Sequence, residues 1–240
     1  MLEVKNLSKS FKKNKAIDNI SFKLNTGEIA ILCGPNGAGK TTTLKCILSL
    51  LRKDSGDILI DGKSTKDRTV RETLAYIPET PDLYNLLTVW EHFKFIALAY
   101  KIKNWTSKAE ELMNIFNLSD RKNSLAKDLS KGMKQKVSII MALIHDPDII
   151  LIDEPFVGLD PNGIKEFREI LGKIKSLGKT ILVSTHILAS MEEVSDTMIL
   201  MKEGRIVESG SKKYLREKYN ESSMEDLFFK IIENAWFSME

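Results

Sequence analysis

The stretch IAILCGPNGAGKTTT, residues 29 to 43, decides the fold. Five apolar residues precede the pattern G-x-x-x-x-G-K-T from Gly34 to Thr41, and the helical pattern TTLKCILSLL follows. A buried strand that enters a glycine-rich turn and then a helix is the setting of a phosphate-binding loop. Its glycines let backbone N–H groups point at phosphate oxygens, Lys40 can reach the β- and γ-phosphates, and the Thr41 hydroxyl can bind Mg²⁺. We therefore predict a nucleotide site on an α/β core.

An acidic pair ends a second apolar run, DIILIDEP at residues 148 to 155. The run predicts a core strand that ends at Asp153, whose carboxylate can hold the Mg²⁺ shell, while Glu154 can orient or deprotonate the attacking water. Alone, such a pair is most often a solvated turn or a helix cap. Beside a phosphate-binding loop, the catalytic interpretation is the better one.

A histidine, His186, ends a third apolar run, TILVSTH. A single histidine is usually structural. At the end of a core strand, however, its imidazole can hydrogen-bond the γ-phosphate.

The stretch DLSKGMKQKV, residues 128 to 137, begins a helix with Ser130, Gly132 and three lysines. One interpretation is an amphipathic helix that is capped by Ser130 and keeps its lysines in solvent. The other is an anion site, because unpaired N–H groups and the positive end of the helix dipole add to the lysine charge. The rest of the chain has to decide between them.

Length and composition exclude several classes of protein. The 240 residues, 42% of them hydrophobic, suit one large domain or a domain with a lobe. Lysine and arginine number 36 against 33 acidic residues, a balance that argues against a dedicated nucleic-acid binder. No apolar stretch reaches the length of a membrane span and the start is no signal peptide, so we expect a cytoplasmic chain. Cys33 and Cys46 are expected to be two buried thiols.

Hydrophobic periodicity predicts the organisation of the chain. LEVKNL and NISFKL alternate as half-buried strands do, whereas IAILC, IILID and TILVS are typical of strands covered on both faces, so the sheet should be mixed. Residues about 85 to 145 are predicted to be wholly helical, as is most of the chain after about residue 211. Predicted helix caps are Thr88 and Ser107, each with a glutamate at capping-box spacing, and Asp160.

The order of these motifs resembles that of the ATP-binding-cassette (ABC) ATPases over about residues 1 to 210. GPNGAGKT is similar to Walker A, SKGMKQK to a variant of the signature LSGGQ, and DIILIDEP to Walker B. GLD at 158 to 160 matches the D-loop, and His186 the switch histidine. YIPETPDLY at 76 to 84 falls where the family has its Q-loop. This segment and SKGMKQK look most like the ATPases of Ecs-type and related ABC-2-type exporters.

The resemblance implies a P-loop α/β core with a mixed central sheet, an N-terminal antiparallel β part and an inserted helical lobe at about 85–145. The ABC ATPase domain would span 1–210 and a helical C-terminal extension 211–240. The expected cofactors are ATP and Mg²⁺, with Glu154 and His186 catalytic and with Thr41, Asp153 and Glu79 at the metal. The residues expected to bind nucleotide are Phe11, Gly34, Pro35, Asn36, Gly37, Ala38, Gly39, Lys40, Thr41, Thr42, Ser130, Gly132 and Met133.

Two positions depart from the family pattern. Glu79 stands where the family has glutamine, so a carboxylate would either strengthen metal binding or stay withdrawn from the γ-phosphate. In the signature, Lys131 replaces the first of two glycines and Met133 precedes Lys134. The anion-binding interpretation survives, since a serine hydroxyl, backbone N–H groups and a helix dipole are still present.

One P-loop and one signature per chain imply a second ABC ATPase subunit, most simply in a homodimer, in which the DLSKGMKQKV helix meets the γ-phosphate of ATP bound to the other subunit. Transport would need a separate integral membrane permease, with this chain peripheral at the cytoplasmic face of the membrane. The predicted docking patch follows the Q-loop, although Trp90 and Phe93 are as well explained as packing inside the lobe. Its members are Pro78, Pro81, Leu83, Tyr84, Leu86, Leu87, Trp90 and Phe93.

The alternative is a soluble ABC ATPase that acts as a switch on nucleic acid or ribosomes. Such members carry two cassettes, or long coiled-coil or cysteine-rich insertions, and this chain has one cassette and two cysteines. A small-molecule kinase would leave SKGMKQK, GLD and His186 unexplained. We expect no nucleic-acid partner.

Overall fold

Two β-sheets organise residues 1 to 237, the part of the chain that a computed structural model describes. The N-terminal sheet is antiparallel, and its strands are β1 (Leu2–Phe11), β2 (Asn14–Leu24), β4 (Ser55–Ile60) and β5 (Lys63–Ser64). Their spatial order is β2-β1-β4-β5. The alternating burial along β1 and β2 matches the alternation of their sequences.

The central sheet has the order β10-β9-β3-β8-β7-β6. Five of its strands run parallel, and the edge strand β10 is antiparallel, so the predicted mixed sheet is confirmed. The strand bounds are β3 (Ile29–Cys33), β6 (Leu74–Ile77), β7 (Ile149–Asp153), β8 (Thr180–Thr185), β9 (Thr197–Lys202) and β10 (Arg205–Ser211).

Eight helices surround the sheets in the described part of the chain. Short 3₁₀ turns lie at Ser119–Arg121, Ala126–Asp128 and Leu188–Met191. The helices are α1 (Lys40–Ile47), α2 (Arg68–Arg71), α3 (Val89–Ala99), α4 (Trp105–Ile115), α5 (Lys131–Leu143), α6 (Pro161–Ser176), α7 (Lys212–Tyr219) and α8 (Met224–Phe237).

The predicted helical lobe is the connection between β6 and β7. These two strands are parallel neighbours in the sheet, and the chain between them forms α3, α4 and α5. Phe93 and Phe116 are fully buried inside the lobe. An inserted helical lobe is therefore confirmed.

The central sheet separates two apolar cores. Ile150 and Ile181 face the helices of the lobe and α6, whereas Leu151 and Leu182 face α1 and the antiparallel sheet. Alternate residues of one strand thus fill opposite cores, which is why these strands are apolar at every position.

The C-terminal helices pack on the first of these cores. Leu215 and Leu227 are fully buried in it. Glu192, in the loop before β9, forms an ion pair with Arg216 and accepts the Met224 N–H at 2.8 Å. A domain boundary at residue 210 stays a prediction, and the last three residues of the predicted extension lie outside the described residues.

Two exclusions made from the sequence concern membrane spans and cysteines. Within residues 1 to 237, no helix combines the length and the apolar character that a bilayer crossing requires. Cys33 and Cys46 are both buried free thiols, as predicted. Burial raises the pKa of the Cys46 thiol to about 11, so neither a disulfide nor a reactive thiolate is indicated there.

The helix starts test the predicted caps. Thr88 and Glu91 form a capping box at the start of α3, and Asp160 accepts the Gly163 N–H at 2.7 Å, so both predictions are confirmed. The predicted cap at Ser107 is wrong, because α4 already begins at Trp105. The Trp105 ring packs on Trp90 with centroids 4.8 Å apart, and this tertiary contact outweighs the local capping signal.

We expect Thr88→Ala to lower the free energy of unfolding by about 1 kcal/mol, because the first turn of α3 loses its side-chain acceptor. The matched control Ser107→Ala removes an exposed hydroxyl that caps nothing, and it should change stability by less than about 0.5 kcal/mol. Urea unfolding followed by far-UV circular dichroism measures both variants. Equal losses would contradict these helix starts.

Candidate nucleotide-binding and hydrolysis site

The loop from Gly34 to Gly39 joins β3 to α1 and is shaped by close backbone contacts. Gly34 and Gly39 have φ values of 153° and 103°. A Cβ atom at Gly39 would lie 2.4 Å from the Ala16 carbonyl oxygen, and one at Gly34 would lie 2.1 Å from that of Met201. No other residue type fits either position without moving the backbone, so the loop is held between β2 and β9.

Lys40 is the first residue of α1 and only 5% exposed. Its Nζ donates to the carbonyl oxygens of Gly34 at 2.9 Å and Pro35 at 3.3 Å, and it lies 3.2 Å from Glu154 Oε1. The buried ammonium therefore has three oxygen partners, which offsets its loss of hydration. Lys40 and the free N–H groups at the start of α1 make this corner strongly attractive to an anion.

Asp153, at the end of β7, is buried and accepts hydrogen bonds from three hydroxyl groups. Thr41 Oγ1 lies 3.0 Å from Oδ1, and the Ser184 hydroxyl also donates to Oδ1. The phenol of Tyr76 donates to Oδ2 at 3.2 Å. Burial and the adjacent Asp153 charge raise the pKa of Tyr76 above its usual value, so the phenol stays a donor.

Glu154 turns its carboxylate back towards the phosphate-binding loop. Its φ is 42°, a left-handed conformation that is rare for a residue with a side chain. The Glu154 N–H donates to the Ser184 carbonyl oxygen at 3.0 Å, which supports this turn. Glu154 Oε2 lies 2.9 Å from His186 Nδ1 and accepts the His186 N–H at 3.3 Å. One carboxylate thus joins Lys40 to His186.

The start of α5 is capped by Ser130, which accepts the Met133 N–H at 3.3 Å. Gln135, buried on the inner face of α5, donates to the Pro155 carbonyl oxygen at 2.8 Å. A Cβ atom at Gly132 would meet no heavy atom within 4 Å outside its own helix. Packing in this chain therefore does not require glycine at 132, and the helix start has an open side.

The predicted site residues fall into two groups in the described chain. Lys40, Thr41, Asp153, Glu154 and His186 are linked by direct contacts. The α5 residues Ser130 and Met133 make no hydrogen bond to residues 34–42 of the same chain, as far as the described residues extend.

Two further predicted residues lie at the margin of the site. Phe11 ends β1 and is 46% exposed, and its hairpin meets the phosphate-binding loop through Ala16. Glu79 is exposed and forms no hydrogen bond or ion pair within residues 1 to 237. Its charge contributes to the raised pKa of Tyr76, and its role at the metal stays a prediction.

Sequence reasoning missed Tyr76, Ser184 and Gln135. The signal for the first two was a polar residue inside a strand whose neighbours are apolar, LAYI and TILVST. Gln135 gave no such signal, since it stands between Lys134 and Lys136 in a run of polar residues.

The donor set beside the loop suits Mg²⁺. The Thr41 hydroxyl and the Asp153 carboxylate are hard oxygen ligands on adjoining elements. Within residues 1 to 237 no cluster of three or more histidine, cysteine or acidic side chains forms a complete metal cage. Mg²⁺ bound by one or two protein groups, water and phosphates needs no such cage.

A groove of about 440 Å³ lies beside β6 and between α1 and the helical lobe. His145 Nε2 donates to the Leu74 carbonyl oxygen at 3.2 Å, whereas its buried Nδ1 has no hydrogen-bond partner. Burial lowers the pKa of His145, which favours the neutral ring, and in that form the hydrogen bond from Nε2 leaves Nδ1 as the acceptor. The groove is lined by Leu48, Leu50, Arg71, Leu74, Ala75, Tyr76, Pro78, Asp82, Leu83, Ile96, Tyr100, Ser138, Met141, Ala142 and His145.

The structure changes the composition of the predicted apolar patch. Phe93 is fully buried, so packing inside the lobe is the one of its two alternatives that the structure shows. Trp90 is half-buried under Lys122, whose Nζ lies 3.6 Å from the ring centroid. Tyr84 and Leu86 are 60% and 76% exposed, and the outer face of α3 adds Phe95 and Leu98. The exposed patch therefore consists of Tyr84, Leu86, Phe95 and Leu98.

Comparison with known proteins agrees with this geometry. A family described as ABC transporter matches residues 17–157. The chain is 36% identical to the ABC-type transporter ATP-binding protein EcsA of Bacillus subtilis, with 96% of each chain covered. It is 35% identical to the lantibiotic transport ATP-binding protein SrtF of Streptococcus pyogenes, over 95% of this chain and 96% of that one.

A solved structure supports the same assignment. An ATP-binding subunit of an ABC transporter superposes with a TM-score of 0.87 at 37% identity, over 97% of this chain and 99% of that one. These similarities favour a transporter ATPase over the soluble switch on nucleic acid or ribosomes. The chain belongs to the ABC transporter family and is one of its ATP-binding, ATP-hydrolysing subunits.

Proposed function

We propose that this ATPase hydrolyses MgATP with Glu154 as the base and drives a separate membrane subunit from a composite dimeric site. The observation that carries the chemistry is the Glu154 carboxylate, which contacts both Lys40 and His186. Lys40 and the loop N–H groups bind the β- and γ-phosphates, and Phe11 provides a face for adenine. Thr41 and Asp153 hold Mg²⁺, which neutralises charge between the phosphates.

Competition for Lys40 links ATP binding to hydrolysis in this proposal. A γ-phosphate carries more charge than one carboxylate, so it draws the Lys40 ammonium away from Glu154 Oε1. That oxygen is then available to accept a proton from the attacking water, while His186 keeps its contact with Oε2. The left-handed turn at Glu154 keeps the carboxylate over the loop throughout.

The second half of the composite site is the start of α5. Ser130, Gly132 and Met133 lie at an open helix end, and among the described residues none of them hydrogen-bonds to the phosphate-binding loop of the same chain. A second copy that presents this end to the γ-phosphate would complete the site twice in a symmetric homodimer. Bound ATP would then hold the two subunits together.

The partner that moves the substrate would be an integral membrane permease. We place the docking surface at the groove beside β6 and at the exposed patch of Tyr84, Leu86, Phe95 and Leu98, since exposed apolar surface of this kind marks protein contacts. The ATPase would be peripheral at the cytoplasmic face of the membrane.

Glu154→Gln should bind ATP with near-normal affinity and reduce turnover about 100-fold or more, because only the attacking water loses its base. Lys40→Ala should weaken ATP binding about 30-fold or more, because the phosphates lose a buried charge partner. Lys45→Ala, in the last turn of the same helix, is the matched control. Equilibrium ATP binding and phosphate release measure these effects. Near-wild-type turnover of Glu154→Gln would remove Glu154 from its role.

Leu86→Asp should abolish copurification with the membrane subunit and leave ATP affinity and the far-UV spectrum intact, because a charge at the most exposed residue of the patch opposes apolar docking. Phe229→Asp places the same charge at an exposed apolar position of α8, and it should not affect the complex. An intact complex with Leu86→Asp would move the docking site elsewhere.

A mixture of Lys40→Ala and Ser130→Arg, each inactive alone, should regain ATPase activity. A mixed dimer has one site with both substitutions and one with neither, so the intact site can turn over. Turnover per molecule should also fall as the wild type is diluted. Concentration-independent turnover in a sample that sedimentation shows to be monomeric with ATP would contradict the composite site.

A further inference from the structure

The side chain of Tyr76 lies between the groove beside β6 and Asp153 at the end of β7. It lies on β6, the edge strand that leads directly into the Pro78–Glu79 segment, and it lines the groove. Its hydroxyl reaches across to Asp153, at the end of the neighbouring strand β7. The register pairs Tyr76 with Leu151, which lies two residues before Asp153. The Tyr76 side chain therefore reaches along the strand direction to Asp153 at the end of β7.

The hydrogen bonds at Asp153 are divided unequally between its two oxygens. Oδ1 receives the hydroxyls of Thr41 and Ser184. Oδ2 receives the Tyr76 phenol, and no other donor among the described residues bonds to it. Without this phenol the carboxylate would be held at one oxygen alone, and rotation about its Cβ–Cγ bond would be less restricted.

Packing alone does not account for the hydroxyl. The Tyr76 ring contacts the apolar core beneath α1, and phenylalanine would fill that volume equally well. A half-buried phenol needs a partner, and here the partner is the carboxylate expected to bind the metal. Groups that orient a metal ligand in this way typically contribute 10- to 100-fold to metal affinity.

We propose that Tyr76 is a positioning residue that orients Asp153 for Mg²⁺ binding. This inference rests on the proposed role of Asp153 at the metal. Thr41 and Ser184 hold Oδ1 of Asp153, and Tyr76 sets the rotation of the carboxylate through its hydrogen bond to Oδ2. Tyr76 acts through Asp153 and needs no contact with nucleotide.

The test measures Mg²⁺-dependent binding of a fluorescent ATP analogue at equilibrium, in a Glu154→Gln background that does not consume it. Tyr76→Phe should raise the half-saturating Mg²⁺ concentration about tenfold and leave nucleotide affinity in EDTA unchanged. Tyr219→Phe is the matched control, because it removes a phenol that donates to the Glu208 carboxylate at 2.6 Å outside the site. It should leave the Mg²⁺ midpoint unchanged.

The variant Asp153→Asn distinguishes a failure of the role inferred for Tyr76 from a failure of the role proposed for Asp153. It should raise the Mg²⁺ midpoint further than Tyr76→Phe, and adding Tyr76→Phe to it should have no further effect. A wild-type midpoint for Tyr76→Phe with a shifted midpoint for Asp153→Asn would overturn the role of Tyr76 alone. An unshifted midpoint for Asp153→Asn would remove Asp153 from the metal, and the inference with it.

A second pair of variants covers the case in which Tyr76→Phe does not fold. At position 76, 4-methylphenylalanine and 4-aminophenylalanine fill the space of tyrosine without and with a donor, and nonsense suppression introduces both. The Mg²⁺ midpoint should shift with the methyl compound and stay near that of the wild type with the amino compound. Equal midpoints for the two would overturn the inference.

Discussion

The site depends on the parallel pairing of β3, β8 and β7 as adjacent strands of one sheet. Parallel neighbours end at the same edge, so the phosphate-binding loop, His186 and the acidic pair meet there although they are far apart in sequence. The same pairing requires that both faces be covered, which the helical lobe and α1 do. The two cores thus hold the strand ends in place, and the polar side chains at those ends contact one another directly.

Because these strand ends meet at one edge, the buried charged groups of the site have partners close by. The buried ammonium of Lys40 and the buried carboxylates of Asp153 and Glu154 would each be costly alone. In the structure each of them has a partner. Lys40 pairs with Glu154, and Asp153 accepts hydrogen bonds from hydroxyl groups. In the proposed function, the phosphates would bring negative charge to Lys40 and Mg²⁺ would bring positive charge to Asp153, while Glu154 would keep its contact with His186.

The sequence predicts those features that a short pattern determines. The loop from Gly34 to Thr41, the acidic pair and His186 are each fixed by a strand end that the apolar runs reveal, and the mixed sheet follows from the same runs. The sequence left the position of Phe93 open and placed a helix cap wrongly at Ser107, because tertiary packing decides whether an aromatic ring is buried and where a helix begins. Tyr76 was not predicted, since its partner lies on another strand and only the register brings the two together.

Tyr76 lies on the edge strand of the central sheet, where it lines the groove and contacts Asp153. β6 pairs on one side only, with β7, and its other side borders the groove. An edge strand is less constrained than a central one, and Leu74, Ala75 and Tyr76 of β6 line the groove. His145 and Tyr76 both line that groove. The Tyr76 side chain therefore lies between the groove proposed to dock the membrane subunit and the Asp153 carboxylate proposed to bind Mg²⁺. Its phenol is hydrogen-bonded to that carboxylate.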